Sequence, residues 1–273
     1  MKIKGFISLF IAAVLVLSLA ACGSDENTGD EGARTITVAV APGFYPITYA
    51  DDDGNAAGYD VEVFKAIDEL LPEYNFVYEV VDKETMNVGV QTGTYQVGIN
   101  SMFKTEERLE TYIMPENNMG YTAVACLYRE DEEAVTGFAD IYNRQLSIHP
   151  TQPAGAISNV IEEWTEAHPD MPLSIGYVAT FDNNEAMNAV RAGDYDVFFQ
   201  LLPVIELWSD EAKAGLATSE PLDVVPTFPI INKEETDLNA KIDDILVQLK
   251  EDGTLSKLSV EAFGYDVFDL GND

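Results

Sequence analysis

Along most of the chain, segments with apolar residues at every second position alternate with segments that have them at every third or fourth position. This alternation predicts strands followed by helices. Residues 35–40 are apolar at every second position, which is typical of a strand. Asp60 is a plausible N-cap of the helix that follows, and Pro72 marks its end. That predicted helix carries four apolar residues on one face: Val61, Phe64, Ile67 and Leu71.

The same two periods continue through the rest of the chain. Further strands are predicted at 76–81, 95–100, 145–149, 173–178 and 195–199. Further helices are predicted at 84–92, from Thr105 onward, at 154–164, at 185–192 and at 238–249. Two successive series of strands and helices predict an α/β fold of two lobes, each a mostly parallel sheet flanked by helices. Ligands of such sheets bind beyond the carboxyl ends of the strands.

The first 21 residues have the pattern of a secretory signal peptide. Lys2 and Lys4 precede a run, 5–21, that is apolar apart from two serines. Small residues before Cys22 resemble a bacterial lipobox, so we expect cleavage before Cys22 and lipidation of its thiol; the alternative is an ordinary signal peptide with a chance cysteine. Residues 22–34 are then a flexible linker that holds the domain at the extracellular face of the cell membrane.

Acidic residues outnumber basic ones by 48 to 15, which gives a formal net charge of −33. Nucleic acid is thereby excluded as a partner, because phosphate binding needs clustered Lys and Arg. Direct electrostatic attachment to an anionic membrane surface is disfavoured for the same reason. The acidity indicates high solubility or a salty habitat; a cationic ligand is the alternative interpretation.

The sequence contains few candidate catalytic residues. His149 and His168 each precede a proline, and neither stands near a cluster of cysteines or histidines, so we expect no metal site. The sequence shows no phosphate-binding glycine loop and no nucleophile elbow, and we expect no cofactor and no catalytic residue. Paired carboxylates stay possible among so many acids. Cys126 lies in an apolar run and is expected to be a buried, inert thiol.

Arg108 occupies a position that favours binding of an anion. It follows a predicted strand end and lies in the first turn of a helix for which Thr105 is a good N-cap. Free backbone N–H groups together with a guanidinium can bind a carboxylate there. The alternative is a solvated arginine paired with Glu106, Glu107 or Glu110.

Several segments, taken in order, are similar to the family-3 extracellular solute-binding proteins, which are the amino-acid receptors of ABC importers. They are the strand and aromatic-proline loop at 36–46, Gly58-Tyr59-Asp60-Val61-Glu62-Val63, Gly93-Thr94-Tyr95-Gln96-Val97, Ser101 with Thr105-Glu106-Glu107-Arg108, and the closing segment 249–258. The segment 166–173 is similar to a cystine-like branch of that family. The resemblance covers about 34–266.

The resemblance implies a two-lobed clamshell of the type II periplasmic binding proteins. Lobe 1 would comprise 35–119 and 226–273, and lobe 2 would comprise 120–225. Hinge segments would lie at 120–124 and 225–228. The protein would act as a monomer that binds an amino acid or related small carboxylate between the lobes and delivers it to ABC permease subunits.

The resemblance also assigns ligand-binding residues. Arg108 would bind the ligand carboxylate, and Ser101 would supply backbone or hydroxyl contacts. Phe44 would form a wall of the cleft. In lobe 2, contacts would come from the turn that contains Thr151 and Gln152.

The sequence departs from the family pattern at five positions. Leu201 stands where the family has the aspartate that binds the ligand ammonium, and Phe103 stands where a small hydroxyl residue is usual. Gln152 and Pro153 replace a threonine pair, and Gln96 replaces an aspartate.

These departures leave two possibilities for the ligand. Another acid, with Asp182 and Glu206 as candidates, binds the ammonium of an ordinary amino acid, or the ligand has no free ammonium. Three functions compete: an importer receptor, a surface sensor or adhesin on the same fold, and a cyclohexadienyl dehydratase-like lyase. A lyase would need poised acids in the cleft.

Overall fold

The computed structural model of the protein describes residues 32–153 and 155–271. Its strands are β1 Arg34–Val40, β2 Tyr49–Ala50, β3 Ala56–Ala57, β4 Tyr74–Val80, β5 Val97–Met102, β6 Gly120–Arg129, β7 Val197–Leu201, β8 Leu216–Thr218 and β9 Asp223–Ile231. Its helices are α1 Tyr59–Leu70, α2 Lys83–Thr92, α3 Glu106–Thr111, α4 Phe138–Arg144, α5 Ala156–Ala167, α6 Asn183–Ala192, α7 Leu202–Glu206, α8 Asp210–Lys213, α9 Thr236–Glu251 and α10 Thr254–Phe263. A 3-10 turn at Asp269–Gly271 follows.

Four clusters of buried hydrophobic residues fall into two groups along the chain, and each group forms the core of one lobe. Buried members of the first group come from 36–119 and 228–268, and those of the second group come from 124–216. We call these parts lobe 1 and lobe 2. The predicted two-lobed α/β fold is therefore confirmed, while the predicted residue boundaries of the lobes stay a prediction.

The sheet of lobe 1 is built around β1. β1 pairs in parallel with β4 on one side and with β5 on the other, and β5 pairs antiparallel with β9. The helix α1 packs Val61, Phe64 and Ile67 fully buried into the core of this lobe, as the apolar spacing predicts. The carboxyl ends of the parallel strands β1, β4 and β5 thus meet at one edge of the sheet.

Lobe 2 differs from the prediction in its strand pairing. β6 pairs antiparallel with β7 and β8. The strands predicted at 145–149 and 173–178 are wrong as regular strands: each contributes one parallel bridge, Ile148 to Val197 and Tyr177 to Thr151.

Side-chain hydrogen bonds explain the shortness of the first of these two segments. The backbone N–H and the hydroxyl of Ser147 both donate to the Asp196 carboxylate, at 2.8 and 2.7 Å. Pro150 has no N–H to continue a ladder. The segment 145–149 therefore pairs with its neighbour only over a short stretch.

Two long strands connect the lobes. β6 and β9 pair antiparallel from Gly120 opposite Thr227 to Val124 opposite Asp223. The first segment coincides with the predicted hinge segment 120–124 and the second overlaps the predicted segment 225–228; that they act as a hinge stays a prediction. Beyond them, β9 continues into the sheet of lobe 1, and β6 continues into that of lobe 2.

The first residues of α1 correct one capping prediction. Gly58 is the N-cap of this helix, and Asp60 is its second residue rather than its cap. Gly58 has a φ of 115°, and a Cβ atom there would lie 2.4 Å from the carbonyl oxygen of Ile47. Only glycine fits this position, so the helix starts earlier than the Asp60 signal suggests.

Several other predictions concern residues away from the cleft. Cys126 is a free, fully buried thiol, as expected, and burial raises its pKa to about 12. Across the described ranges, no helix has the length and apolar character needed to span a bilayer. The predicted signal peptide, Cys22 and most of the linker lie outside the described residues.

Candidate functional site

A cavity of about 180 Å³ lies between residues of the two lobes. Lobe 1 lines it with Phe44, Ile47, Lys83, Asn100, Ser101, Met102, Phe103 and Arg108. Lobe 2 lines it with Thr151, Gln152, Gly155, Ala156, Ile157, Phe181, Phe199, Gln200 and Leu201. We call these two sets the lobe-1 face and the lobe-2 face. Seven of the eight binding residues expected from the sequence meet in this cavity.

Arg108 reaches the cavity from the first turn of α3. Thr105 is the N-cap of that helix, as predicted, and its hydroxyl oxygen accepts the Arg108 backbone N–H at 3.2 Å. Within the guanidinium, Nη1 donates to the carbonyl oxygen of Phe103 at 2.8 Å. No carboxylate of the described chain forms an ion pair with Arg108, so the pairing with Glu106, Glu107 or Glu110 is not observed. Burial lowers the pKa of Arg108, and Glu107 opposes that shift.

Ser101 lines the cavity in an unusual backbone conformation. Its φ is 47°, in the left-handed region that residues other than glycine rarely adopt. The buried carboxylate of Asp60 accepts the Ser101 N–H through Oδ2 at 2.7 Å, while Oδ1 has no partner among the described residues. Burial raises the pKa of Asp60 to about 7. Asp60 therefore stabilises the turn that carries Ser101, Phe103 and Arg108 to the cavity.

Apolar side chains form the cavity walls. Phe103 and Leu201 are 9% and 6% exposed, so both are packed against neighbours rather than free in the cleft. Phe44 is half-buried and lies in a tight loop after β1, where its N–H and that of Gly43 both donate to the carbonyl oxygen of Thr48. Phe199, buried in β7, extends the wall from lobe 2.

Polar contacts on the lobe-2 face come from uncharged groups. Thr151 is buried, and its N–H donates to the carbonyl oxygen of Gly176 at 3.0 Å. Gln152 is exposed, and its Nε2 donates to the carbonyl oxygen of Ala179 at 3.3 Å. Gln200 donates to Asn183 and accepts the Leu201 N–H through its own amide oxygen, both at 2.8 Å.

The candidate acids for an ammonium group lie outside the lining of the cavity. Asp182 is exposed and is the N-cap of α6, where its carboxylate accepts the Glu185 N–H at 2.9 Å. The adjacent residue, Phe181, lines the cavity instead. Glu206 is also exposed, at the end of α7. Among the described residues that line the cavity, no side chain is acidic.

Lys83 is a cavity residue that the sequence reasoning missed. It is the first residue of α2, directly after β4, and it lines the cavity beside Arg108. The signal that could have found it is the one used for Arg108, a basic residue between a strand end and a helix start. The apolar pattern predicts a helix start at residue 84, one residue later than the observed start, and assigns Lys83 no role.

Neither histidine is among the described lining residues, although His149 contacts Phe181, which is one of them. His149 packs edge-on against the rings of Phe181 and Tyr195. His168 stacks on Trp164 with ring centroids 3.6 Å apart. In the described ranges, no group of three or more His, Cys, Asp or Glu side chains could hold a metal ion.

The sequence and the fold of this chain are similar to those of known proteins. L-cystine-binding protein TcyK of Bacillus subtilis (strain 168) is 27% identical over 97% of this chain and 98% of its own length. Membrane-bound lytic murein transglycosylase F of Hahella chejuensis is 26% identical over 96% of this chain, but that match spans 51% of its own length.

A crystal structure of ytmK from Bacillus subtilis, described as a probable amino-acid ABC transporter extracellular-binding protein, superposes with a TM-score of 0.69. It covers 85% of this chain and 98% of its own at 23% identity, which shows the shared fold. Residues 36–265 match the family described as bacterial extracellular solute-binding proteins, family 3. This chain therefore belongs to the bacterial extracellular solute-binding proteins of family 3.

Proposed function

We propose that the protein binds a small carboxylate in the cavity between its lobes and delivers it to the permease of an ABC importer. The observation that carries the proposal is Arg108, a guanidinium that lines the cavity and has no acidic partner in the described chain. A guanidinium in that setting gains most from a carboxylate that binds it through two parallel hydrogen bonds. The family membership and the name of TcyK support a role in solute uptake.

The lining favours a ligand that presents no free ammonium to it. An ammonium in a closed cleft needs a paired acceptor, because burying an unpaired charge is costly. Leu201 and Phe103 offer no acceptor side chain, and the candidates Asp182 and Glu206 lie outside the lining. A deaminated or N-acylated carboxylate fits this set of residues better than a standard amino acid does.

Calorimetry on the purified soluble domain tests this proposal. The panel comprises the standard amino acids, cystine, short peptides, and N-acetylated or deaminated analogues of the same amino acids. We expect micromolar binding among the analogues and little heat from the standard amino acids. Tight binding of a standard amino acid or of cystine would contradict the absence of an ammonium and leave the carboxylate role of Arg108 intact.

A role in binding and delivering a solute also implies that no reaction occurs in the cleft. A lyase of the cyclohexadienyl dehydratase type needs an acid near the leaving group, and none of the lining residues that the structure describes is acidic. We therefore expect no turnover of prephenate or arogenate. Uptake of the bound compound by cells, lost when the gene is deleted, would distinguish a receptor for import from a surface sensor or adhesin.

The lipid anchor is a separate part of the proposal. The lipobox-like residues 19–22 support cleavage before Cys22 and attachment of lipid to its thiol. Two acyl chains give stable membrane anchoring, where one does not. The mature protein should fractionate with membranes, and Cys22→Ser should release it or leave the precursor uncleaved. Recovery of an unlipidated wild-type protein in the culture fluid would refute the anchor.

The lobe boundaries complete the proposal. Lobe 1 would comprise 35–119 and 226–273, lobe 2 would comprise 120–225, and the hinge segments at 120–124 and 225–228 would bend when the lobes close on the ligand. Small-angle scattering of the monomer with and without the ligand identified by calorimetry tests this closure. An unchanged radius of gyration at saturation would refute it.

A further inference from the structure

We propose that Lys83 is a second anion-binding residue of the cleft and that the ligand is a small dicarboxylate, with one carboxylate bound by Arg108 and the other by Lys83. This inference rests on the proposed function and extends it, because it names the class of ligand. The class that fits is a dicarboxylic acid without a free ammonium, such as an N-acylated acidic amino acid.

Lys83 occupies a position equivalent to that of Arg108. Lys83 follows β4 and Arg108 follows β5, and β1 lies between these two strands in the sheet. Each residue lies within the first turn of the helix that comes after its strand. Both side chains therefore enter the same cavity from the carboxyl ends of parallel strands, where ligands of such sheets bind.

Lys83 also has no partner within the described protein. Six other basic residues of the described chain form ion pairs: Arg34, Lys65, Arg129, Arg144, Lys241 and Lys257. Seven of the thirteen basic residues in the described ranges form no ion pair, and Lys83 and Arg108 are the two of these seven that line the cavity. Although Lys83 as a whole is exposed, desolvation lowers its pKa, and the charge of Arg108 lowers it further. A second carboxylate would relieve that repulsion.

The space around the two cations accommodates a second anionic group. A neighbouring cavity of about 390 Å³ shares Lys83, Met102 and Arg108 with the central cavity. Its other lining residues are mostly polar: Asn87, Gln91, Thr105, Glu107, Thr111, Tyr112 and Asn159. The two cations thus border both cavities, and a ligand can place its acyl part against Phe44 and Leu201 while its carboxylates meet both cations.

Matched pairs of compounds that differ by one charge test this inference. N-acetyl-L-glutamate and N-acetyl-L-glutamine are close in shape, as are N-acetyl-L-aspartate and N-acetyl-L-asparagine. Calorimetry at low salt should show each dianion binding at least roughly tenfold more tightly than its amide, which is the scale of one charge-assisted hydrogen bond. Lys83→Met should reduce that ratio to about two or less, and Lys83→Arg should preserve it.

Lys104→Met is the matched control. Lys104 lies one residue from Phe103, but its ammonium sits 4.1 Å from the centre of the Phe228 ring and outside the lining of the central cavity. The change removes the same charge from lobe 1 and should leave the preference for dianions intact. Lys83→Met should fold normally, because a cation in the first turn of α2 opposes the helix dipole; a thermal melt checks this.

The outcomes separate this inference from the proposed function. Equal binding of each dianion and its amide, or a preference that survives Lys83→Met, would overturn the role of Lys83 and leave the carboxylate receptor standing. A monoanion as the tightest ligand of the wider panel would overturn it as well. If none of the carboxylates in that panel binds, the proposed function itself fails.

Discussion

The two faces of the cavity differ in charge and in origin. The lobe-1 face carries both cations, Lys83 and Arg108, together with Ser101 in its unusual conformation. The lobe-2 face, within the described residues, carries neutral amides, Thr151 and apolar side chains such as Phe199 and Leu201. Under the proposed function, we expect the lobe-1 face to bind the charged groups of the ligand and the lobe-2 face to shield them from water.

This difference predicts an order of events. A carboxylate binds first to the lobe that offers the cations, because the attraction acts before the cleft is closed. Closure of lobe 2 then removes water from the ion pair and strengthens it. The comparison also indicates which changes should matter for binding and which should matter only for folding.

The largest expected effect comes from Arg108→Ala, which removes the principal cation of the lobe-1 face. Losing one partner of a buried charge pair costs about 2–5 kcal/mol, so the dissociation constant should rise roughly 30-fold to several-thousand-fold. Calorimetry with the best carboxylate of the panel measures the loss.

Arg108→Lys keeps the charge but loses the planar fork, so its affinity should fall between those of the wild type and Arg108→Ala. An affinity of Arg108→Ala within threefold of the wild type, with an unchanged melting temperature, would show that Arg108 does not contact the ligand.

The second prediction concerns Asp60, which lies behind the lobe-1 face and supports Ser101. Its folded-state pKa of about 7 exceeds the value of about 3.9 expected in the unfolded chain. The native state thus binds more protons between these values, and this group lowers stability as pH rises from about 4 to 7. At 1.36 kcal/mol per pKa unit, the cost above pH 7 is at most about 4 kcal/mol, and the N-terminus of α1 reduces it.

Asp60→Asn removes the charge while its amide oxygen can still accept the Ser101 N–H. Relative to the wild type, the variant should gain about 2–4 kcal/mol in free energy of unfolding at pH 8 and much less at pH 5. Denaturant titrations at both pH values measure the difference. A gap between variant and wild type that stays constant with pH would show that Asp60 is ionised in the native state at both.

The third prediction concerns a variant that introduces a negative charge into the otherwise uncharged lobe-2 face. Leu201→Asp places a carboxylate in the lining of the cavity. A ligand without an ammonium should lose about 1–3 kcal/mol of binding free energy, whereas a standard amino acid should gain affinity. Leu201→Asn is the uncharged control for the loss of apolar packing. Weaker binding of both kinds of ligand by the two variants alike would indicate a packing effect only.

Sequence reasoning identified the lobe-1 face better than the lobe-2 face. Ser101 is the penultimate residue of β5, Arg108 follows that strand, and Thr105 caps the next helix as the sequence indicates. In lobe 2, the bridges at Ile148 and Tyr177 replace predicted strands because side-chain hydrogen bonds and prolines compete with the ladder. The spacing of apolar residues along the sequence does not by itself reveal such contacts.

The two faces also differ in how easily their individual side chains could be assigned. Lys83 lies outside the apolar pattern and was missed, although its position after a strand carried the same information as that of Arg108. Leu201 was assigned to the site by the resemblance to the family rather than by the apolar pattern, and it lines the cavity. Asp182 was assigned by proximity in sequence, and proximity does not determine where a carboxylate points.

The smallest expected effect on ligand affinity comes from replacing Asp182, an acidic residue of lobe 2 that lies outside the cavity lining. The Asp182 carboxylate accepts the Glu185 N–H as the cap of α6. Asp182→Ala should therefore lower the free energy of unfolding by about 1 kcal/mol, as loss of an N-cap does, and change ligand affinity by less than twofold. Asp82→Ala, which removes the equivalent cap of α2, is the matched control for stability. Calorimetry and denaturant titration on both variants measure the two quantities. A tenfold loss of affinity in Asp182→Ala would mean that its carboxylate turns into the closed cleft and binds a ligand ammonium, and lobe 2 would then recognise charge as lobe 1 does.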